Sequence, residues 1–298
     1  MTPARRILSG TTYLITRRCS ERRFFLKPSK RTAAIFPYAL AVYAKRYRIK
    51  IHGYCVLSNH YHLVLTDGCG RLPDFQRDLD SLIARATNFA LGREDAFWES
   101  DSYSAVELVS AAAVHEKLVY LLANPVAAGL VRHASKWPGH WSDPRRIGAA
   151  PVTIARPKEF FDEKGPMPAS VEFQLTPPPG FESDPTFVER LLDSLREAEE
   201  SEAVKLANEG RSFMGVARIL AQSFFARPAA GEPRRTHNPR VACRNKWKRI
   251  EALQRLAEFR AAYREALDAW RTGIRDVLFP HGTWLMRILH AAPCAASG

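Results

Sequence analysis

Along the first half of the chain the apolar positions switch between a period of two and a period of about 3.6. Residues 11–16, Thr-Thr-Tyr-Leu-Ile-Thr, predict a strand. Residues 31–47 predict a helix, with Ala34, Ile35, Tyr38, Val42 and Tyr43 near helical spacing and Pro37 in its first turn or at a kink. Residues 49–57 predict a second strand. Ser58-Asn59 is a turn-forming pair, and the strand that returns from it carries His60 and His62, so the two strands form a hairpin. Residues 72–91 place Leu72, Phe75, Leu79, Leu82, Ile83 and Ala86 on one helix face. A short strand at 103–109 and a third helix at 112–124 follow, with Pro125 ending or kinking that helix. The order β-α-β-β-α-β-α is the split βαβ, ferredoxin-like pattern with a helix appended, an α+β fold on an antiparallel sheet.

Beyond residue 150 the pattern changes. Eight of the 20 prolines fall between Pro151 and Pro185, which predicts a linker or irregular arm. Helices are expected at 187–206 (acidic and amphipathic), 212–225 and 245–278. The chain is therefore expected to divide into a catalytic-type domain at 1–150, a proline-rich linker at 151–186 and a helical extension at 187–298. No internal repeat is visible.

With 298 residues and 46% hydrophobic positions the chain can bury a sizeable core. It contains no run of about 18 apolar residues, so no membrane span is expected. Basic residues near the start are not followed by an apolar stretch, so no secretory signal is expected. The five cysteines are odd in number and form no C-x-x-C pair, which suits a reducing cytosol rather than a disulfide framework.

Charge narrows the partner. The formal net charge is +13, and the first 50 residues hold thirteen Lys and Arg against Glu21 alone. A second block holds Arg227, Arg234, Arg235, Arg240, Arg244, Lys246, Lys248 and Arg249 against Glu232. Two concentrated basic blocks are the footprint of a polyanion binder, and neither has the amphipathic pattern of a membrane-surface helix. Arg17, Arg18, Arg22 and Arg23 from the first block, and Arg244, Lys246, Trp247 and Lys248 from the second, are the expected nucleic-acid contacts, with a nucleoid-associated protein of the cytoplasm as the expected setting.

The candidate chemistry begins with His60 and His62. On a strand their imidazoles share one face, while Tyr61, Leu63 and Leu65 fill the other. Neighbouring imidazoles are the start of a metal site. On the third helix Tyr120 and Asn124 lie four apart and share a face. A metal held by the two imidazoles and the Asn124 oxygen would offset phosphate charge, and the Tyr120 hydroxyl would attack in line to leave a phosphotyrosine. Tyrosine titrates near 10, so it is a poor nucleophile until a metal or base withdraws its proton.

These residues carry a resemblance. His60-Tyr61-His62 in its strand resembles the HUH motif, in which U is a hydrophobic residue. Tyr120-x-x-x-Asn124 followed by Pro125-Val126-Ala127-Ala128-Gly129-Leu130-Val131 resembles the tyrosine helix of IS200-like, single-tyrosine transposases, with the REP-associated tyrosine transposases the nearest subgroup. Trp137, Trp141 and Ser142 resemble that family's aromatic-Ser ending, and Gly10 through Arg23 its first strand and turn. The resemblance covers roughly residues 7–148. It implies cleavage of single-stranded DNA at sites marked by a nearby hairpin, with Mg²⁺ or Mn²⁺, a tyrosine joined to the 5′ phosphate and a free 3′ hydroxyl. It implies Tyr120 as nucleophile, His60 and His62 as metal ligands and Asn124 as third ligand, where some relatives have Gln. Many relatives carry Arg or Lys at the position of Ala127. A monomer or a homodimer is expected: IS200-like relatives often act as dimers with exchanged tyrosine helices, REP-associated ones can act as monomers, and the added C-terminal half leans towards the latter. Phe279-Pro280-His281-Gly282-Thr283-Trp284 resembles a segment of extended members.

Other motifs have blander readings. His52 and His115 read as surface or structural residues, and Glu197, Glu199, Glu200 and Glu202 as a solvated helix face. Residues 210–220 read as a helical hairpin or as part of a helix-turn-helix. Trp247 stacks on a base or anchors packing under a basic face. A histidine-triad hydrolase would need a third histidine where Val64 stands. The competing functions are a DNA-nicking transposase and a relative that grips DNA or RNA hairpins without cutting.

Overall fold

The computed structural model describes residues 4–100, 103–228 and 240–296; Arg234, Arg235 and Glu232 of the second basic block lie outside them. The expected order of elements is present. Strand β1 (Thr11–Arg18) leads to helix α1 (Ile35–Tyr47), which begins later than the spacing suggested and takes Pro37 into its first turn. Strands β2 (Ile49–Leu57) and β3 (His60–Asp67) form the hairpin, with Leu57 opposite His60 across the two-residue turn. Helix α2 (Leu72–Leu91) follows, then β4 (Ser104–Leu108) and α3 (Ala111–Ala127). The start of α2 is capped from β3: the buried Asp67 carboxylate accepts from the amides of Cys69, Arg71 and Leu72.

The strands lie in the order β2-β3-β1-β4, and β3 and β4 each run antiparallel to β1. That is the split βαβ arrangement. From Tyr61 to Asp67 every residue of β3 is buried, so both faces are covered. Helices α1 and α2 pack together on the face of Tyr61, Leu63 and Leu65; α3 lies on the other, against β2 and β3. Close approach of α3 depends on Gly53 in β2, where an added Cβ would sit 2.8 Å from Leu118 Cδ2. Trp137 and Trp141 seal the outer edge of that contact. Trp137 Nε1 donates to the Val56 carbonyl, Trp141 Nε1 to the Leu122 carbonyl, and Ser142 Oγ accepts from the Tyr54 amide.

Three expectations change. Pro125 neither ends nor visibly breaks α3, which runs on to Ala127. The proline has no N–H to donate to the Leu121 carbonyl, so one intrahelical bond is lost, and the helix continues for two more residues. The proline-rich segment is not merely a linker: it forms the antiparallel pair β5 (Val152–Ala155) and β6 (Ser170–Phe173) against α1 and puts Val171 and Leu175 into the main core. Helix α4 (Phe187–Asn208) lies along α3 and buries Phe187, Leu191 and Leu195 in that same core. Its acidic run is not wholly solvated, because the buried Glu199 carboxylate accepts from the Ala134 amide and meets His133.

After α5 (Val216–Ala221), strand β7 (Val241–Ala242) adds to the free edge of β4 in parallel, and α6 (Lys246–Arg271) and α7 (Leu285–His290) complete the chain. Both α5 and α6 are shorter than the sequence suggested. The six residues of α5 are too few for a recognition helix; its preceding turn is instead held by Met214 and Gly215 amides donating to the Gly129 and Leu130 carbonyls. The segment Phe279–Trp284 acts as a clasp on the N-terminal arm. The Ile7 amide donates to the Gly282 carbonyl, and Gly282, at φ +91°, has Arg6 Cγ 2.8 Å from where a Cβ would be. Among the described residues no helix is long and apolar enough to cross a membrane.

His52 has a structural role. At the bulge in β2 it is fully buried, with Nδ1 2.8 Å from the Thr176 carbonyl and Nε2 2.8 Å from Thr66 Oγ1. Burial pushes its pKa down to about 4, only partly offset by the Thr176 bond. An unfolded histidine titrates near 6.5, so between pH 6.5 and 4 the unfolded chain binds the extra proton. Stability is therefore expected to be flat above pH 6.5 and to fall as pH drops towards 4, by up to about 3 kcal/mol from this group. Thermal melts of the wild type and His52→Gln across that window should show a shallower decline for the variant; equal slopes would assign the acid sensitivity elsewhere.

Candidate active site

The register of β1 on β3 sets Thr16 opposite His62 and Arg18 opposite His60. The same alternation turns Arg17 and Tyr61 to the other face. His60 and His62 stand edge to face, with ring centroids 4.9 Å apart. Helix α3 brings Tyr120 onto this pair: its ring lies edge-on to His62 at 5.6 Å between centroids. Tyr120 is 43% exposed in the midst of the buried α3 residues Leu118, Leu121 and Leu122, so it is not a core aromatic. Asn124, one turn further along that face, is buried. The four residues expected to act together thus lie on one sheet face and the helix covering it.

Hydrogen bonds fix the imidazoles. Asn59 Nδ2 donates to the Arg22 carbonyl at 3.2 Å, which leaves its Oδ1 to accept from His60 Nδ1 at 2.6 Å. His60 Nδ1 therefore bears the proton, and Nε2 keeps a lone pair. His62 Nδ1 lies 2.8 Å from Thr16 Oγ1, while its Nε2 is buried and has no hydrogen-bond partner. Burial, then the neighbouring His62, Arg18 and Arg22, hold His60 well below the ordinary histidine range. Burial, with Arg18 adding to it, pushes His62 down to about 3. Both rings are neutral at pH 7, the form that can ligate a cation. Among the described residues no three His, Cys, Asp or Glu side chains are grouped to hold a metal.

The basic residues divide. Arg18 and Arg22 line a cleft that opens beside His60. Arg17 is turned away: its Nε lies 3.3 Å from the Asp80 carboxylate among the side chains behind the sheet. Asp80 also accepts from the Tyr61 hydroxyl at 2.6 Å, and its backbone carbonyl accepts from Trp98 Nε1. Arg17 thus braces the strand between the histidines rather than facing a ligand. Arg23 is engaged by Glu21 and by the Phe225 carbonyl. In the second block Arg244 Nε reaches Glu116, one turn before Tyr120, at 2.7 Å. That contact brings the first turn of α6 beside the tyrosine helix. Trp247 there is 75% exposed with Lys246 nearby, which excludes the packing-anchor reading. Lys248 is exposed in the same turn, its amide capped by Asn245.

Several contributors have only weak sequence signals. Asn59 sits in the turn before the histidines, and its orienting role follows from a carbonyl 37 residues away. Thr16 is identified by register alone. Lys117, with its ammonium 5.8 Å from the Tyr120 ring centroid, is one of many helix-surface lysines.

No family model matches the chain, and no curated protein matches it. Similar solved structures include these two. One is a REP-associated tyrosine transposase bound to a REP hairpin, at 19% identity over 55% of this chain and 96% of the other, with a TM-score of 0.42. The second is a candidate transposase from Deinococcus radiodurans R1, at 20% identity over 40% of this chain and 95% of the other, with a TM-score of 0.30.

The Asn59 contact makes its own prediction. Asn59→Ala frees His60 to take the other tautomer, so the ¹⁵N shifts of its ring nitrogens should move towards a mixture. An unchanged tautomer would remove Asn59 from the site.

Proposed function

We propose that the protein is a single-strand DNA endonuclease and strand transferase of the tyrosine transposase type. The observation that carries the reading is the half-exposed Tyr120 packed edge-on against His62, beside a second imidazole whose tautomer is fixed. A structural tyrosine on this buried helix would be expected to turn inward, as Leu118, Leu121 and Leu122 do.

The residues fit a divalent cation. His62 Nε2 is a buried nitrogen with no partner, His60 Nε2 keeps its lone pair, and Asn124 offers an amide oxygen. Mg²⁺ or Mn²⁺ held by these three would supply positive charge to a phosphate oxygen and lower the barrier to attack. The low pKa values of both histidines keep them from competing with a cation by protonation.

Tyr120 Oη attacks the phosphorus of a phosphodiester in line with the 3′ oxygen. The new Oη–P bond forms, the P–O3′ bond breaks, and the 3′ oxygen leaves to become a hydroxyl. The phenol proton passes to solvent and the leaving oxygen takes one up, so no redox partner is needed. The product is a 5′-phosphotyrosine and a free 3′ hydroxyl; attack by another 3′ hydroxyl reverses the step and joins strands. Arg18 and Arg22 beside His60 would neutralise backbone phosphates, and the exposed Trp247 among Lys246 and Lys248 would stack on a base of an unpaired strand. A hairpin next to the cleaved strand is the expected DNA feature, and a monomer the expected working unit.

Incubation with labelled single-stranded DNA hairpins and Mn²⁺ should give an SDS-stable protein–DNA adduct. Tyr120→Phe should abolish the adduct and leave DNA binding within about twofold. Binding without any adduct across a broad hairpin panel would replace this reading with that of a non-cutting hairpin binder. Trp247→Ala is expected to weaken single-strand binding by about 1–3 kcal/mol, measured by anisotropy, and to affect duplex binding little.

A further inference from the structure

We infer that the C-terminal part of the chain builds the second wall of a channel for single-stranded DNA, with Lys205 and Arg211 as its phosphate contacts; this rests on the function proposed above. The cleft that opens at His60 has a volume of about 1030 Å³. That is at the upper limit for a small-molecule pocket and suits a stretch of polymer. Arg18, Arg22 and His60 line it together with Lys205, Arg211 and Arg227, all from beyond residue 186. The Phe24 amide donates to the Ala226 carbonyl and holds Arg227 next to residues 22–24, while Lys205 and Arg211 come from α4 and the turn after it. Ala127 and Ala128, at the end of the tyrosine helix, also line it. Five cations thus face two carboxylates, those of Glu202 and Glu209.

The placement of Arg211 is specific. Its Nη2 lies 3.5 Å from where a Cβ of Gly129 would be, so the guanidinium sits over the turn that follows the uncharged Ala127. The turn carrying it is tied down by the Met214 and Gly215 amides on the Gly129 and Leu130 carbonyls. A cation that the tyrosine helix does not itself carry is thereby delivered to its end by a later segment. Arg211 and Lys205 are paired with Glu209 and Glu202 at 2.7 and 3.6 Å, but both pairs are solvent-exposed. Exposed pairs are worth little, so a phosphate can take the place of either carboxylate. A strand leaving the Tyr120 site past His60 meets this wall next.

The test is single-strand affinity as a function of salt, read by anisotropy with an unstructured oligonucleotide on a Tyr120→Phe background. Each phosphate contact contributes about 0.7 to the slope of log K against log salt for single strands. Lys205→Ala/Arg211→Ala should lower that slope by about 1.4 and raise Kd roughly tenfold at low salt, with unchanged thermal stability. Glu209→Gln, which releases Arg211, should tighten binding. Arg85→Ala, an exposed position on α2 behind the sheet, should change neither quantity. A double variant that binds with the wild-type slope, or an Arg85→Ala slope that falls as far per charge, overturns the channel. Adducts formed by the Tyr120 protein are scored separately. Adducts with an unaltered variant slope sink the channel alone; a lowered slope without adducts in any hairpin sinks the nuclease reading and leaves the channel standing.

Discussion

Burial of β3 on both faces is the constraint on which the rest of the structure depends. A strand flanked by β1 and β2 and covered by helices on either side exposes no side chain from Tyr61 to Asp67. Polar residues in such a strand have to be answered by protein partners. The odd positions are answered on the α1–α2 face, where Tyr61 bonds to Asp80 and Asp67 caps α2. The even positions face α3, where Thr66 bonds to His52 and Thr12, and His62 to Thr16. Because the period is two, these sets are independent, and a one-residue slip would exchange them. The register is fixed by the two-residue Ser58-Asn59 turn, so the same turn that starts the strand also orients His60.

The two faces also divide the arginines. Arg17 and Arg18 are adjacent in sequence and opposite in function, one bracing Asp80 behind the sheet and one facing the cleft. Burial pushes the Asp80 carboxyl up to about 6, against the pull of Tyr61, Gln76 and Arg17. Breaking a partly buried pair of this kind by removing one partner costs more than the pair contributes in itself, because the other charge is left behind. Charge counting along a sequence has no access to this distinction, since a strand places consecutive basic residues on both sides of a sheet.

Much of the fold was legible because the elements of the first half are strongly periodic. The hairpin at 49–66 and the helix at 72–91 follow from period and turn chemistry, and the hairpin's His60 and His62 meet Tyr120 of the third helix. The rest depended on long-range contacts. The proline-rich segment reads as a linker locally, but Val171 and Leu175 find apolar surface against α1 and β2, and such tertiary burial overrides composition. Glu199 reads as one of four solvated acids, yet it alone faces the Ala134 amide. Helix α3 runs two residues past Pro125 because its packed face sustains the loss of the one bond the proline cannot make. Trp247 could be read two ways until its exposure decided between them.

The orphaned nitrogen of His62 explains why this arrangement is better read as a site than as packing. A buried polar atom without a partner costs about 1–3 kcal/mol, and a phenylalanine or leucine would fill the same volume without that cost. Thr16 already satisfies Nδ1, so the ring is held, not loose, and Nε2 is the atom left unsatisfied, on a ring packed against Tyr120. His60 repeats the pattern, with Nδ1 bound to Asn59 and Nε2 carrying the lone pair. Two adjacent imidazoles are thus each anchored through Nδ1, which leaves the Nε2 atoms without a protein partner among the described residues to hold them. The polar cost is thus concentrated at the point where the half-exposed tyrosine and the basic cleft converge.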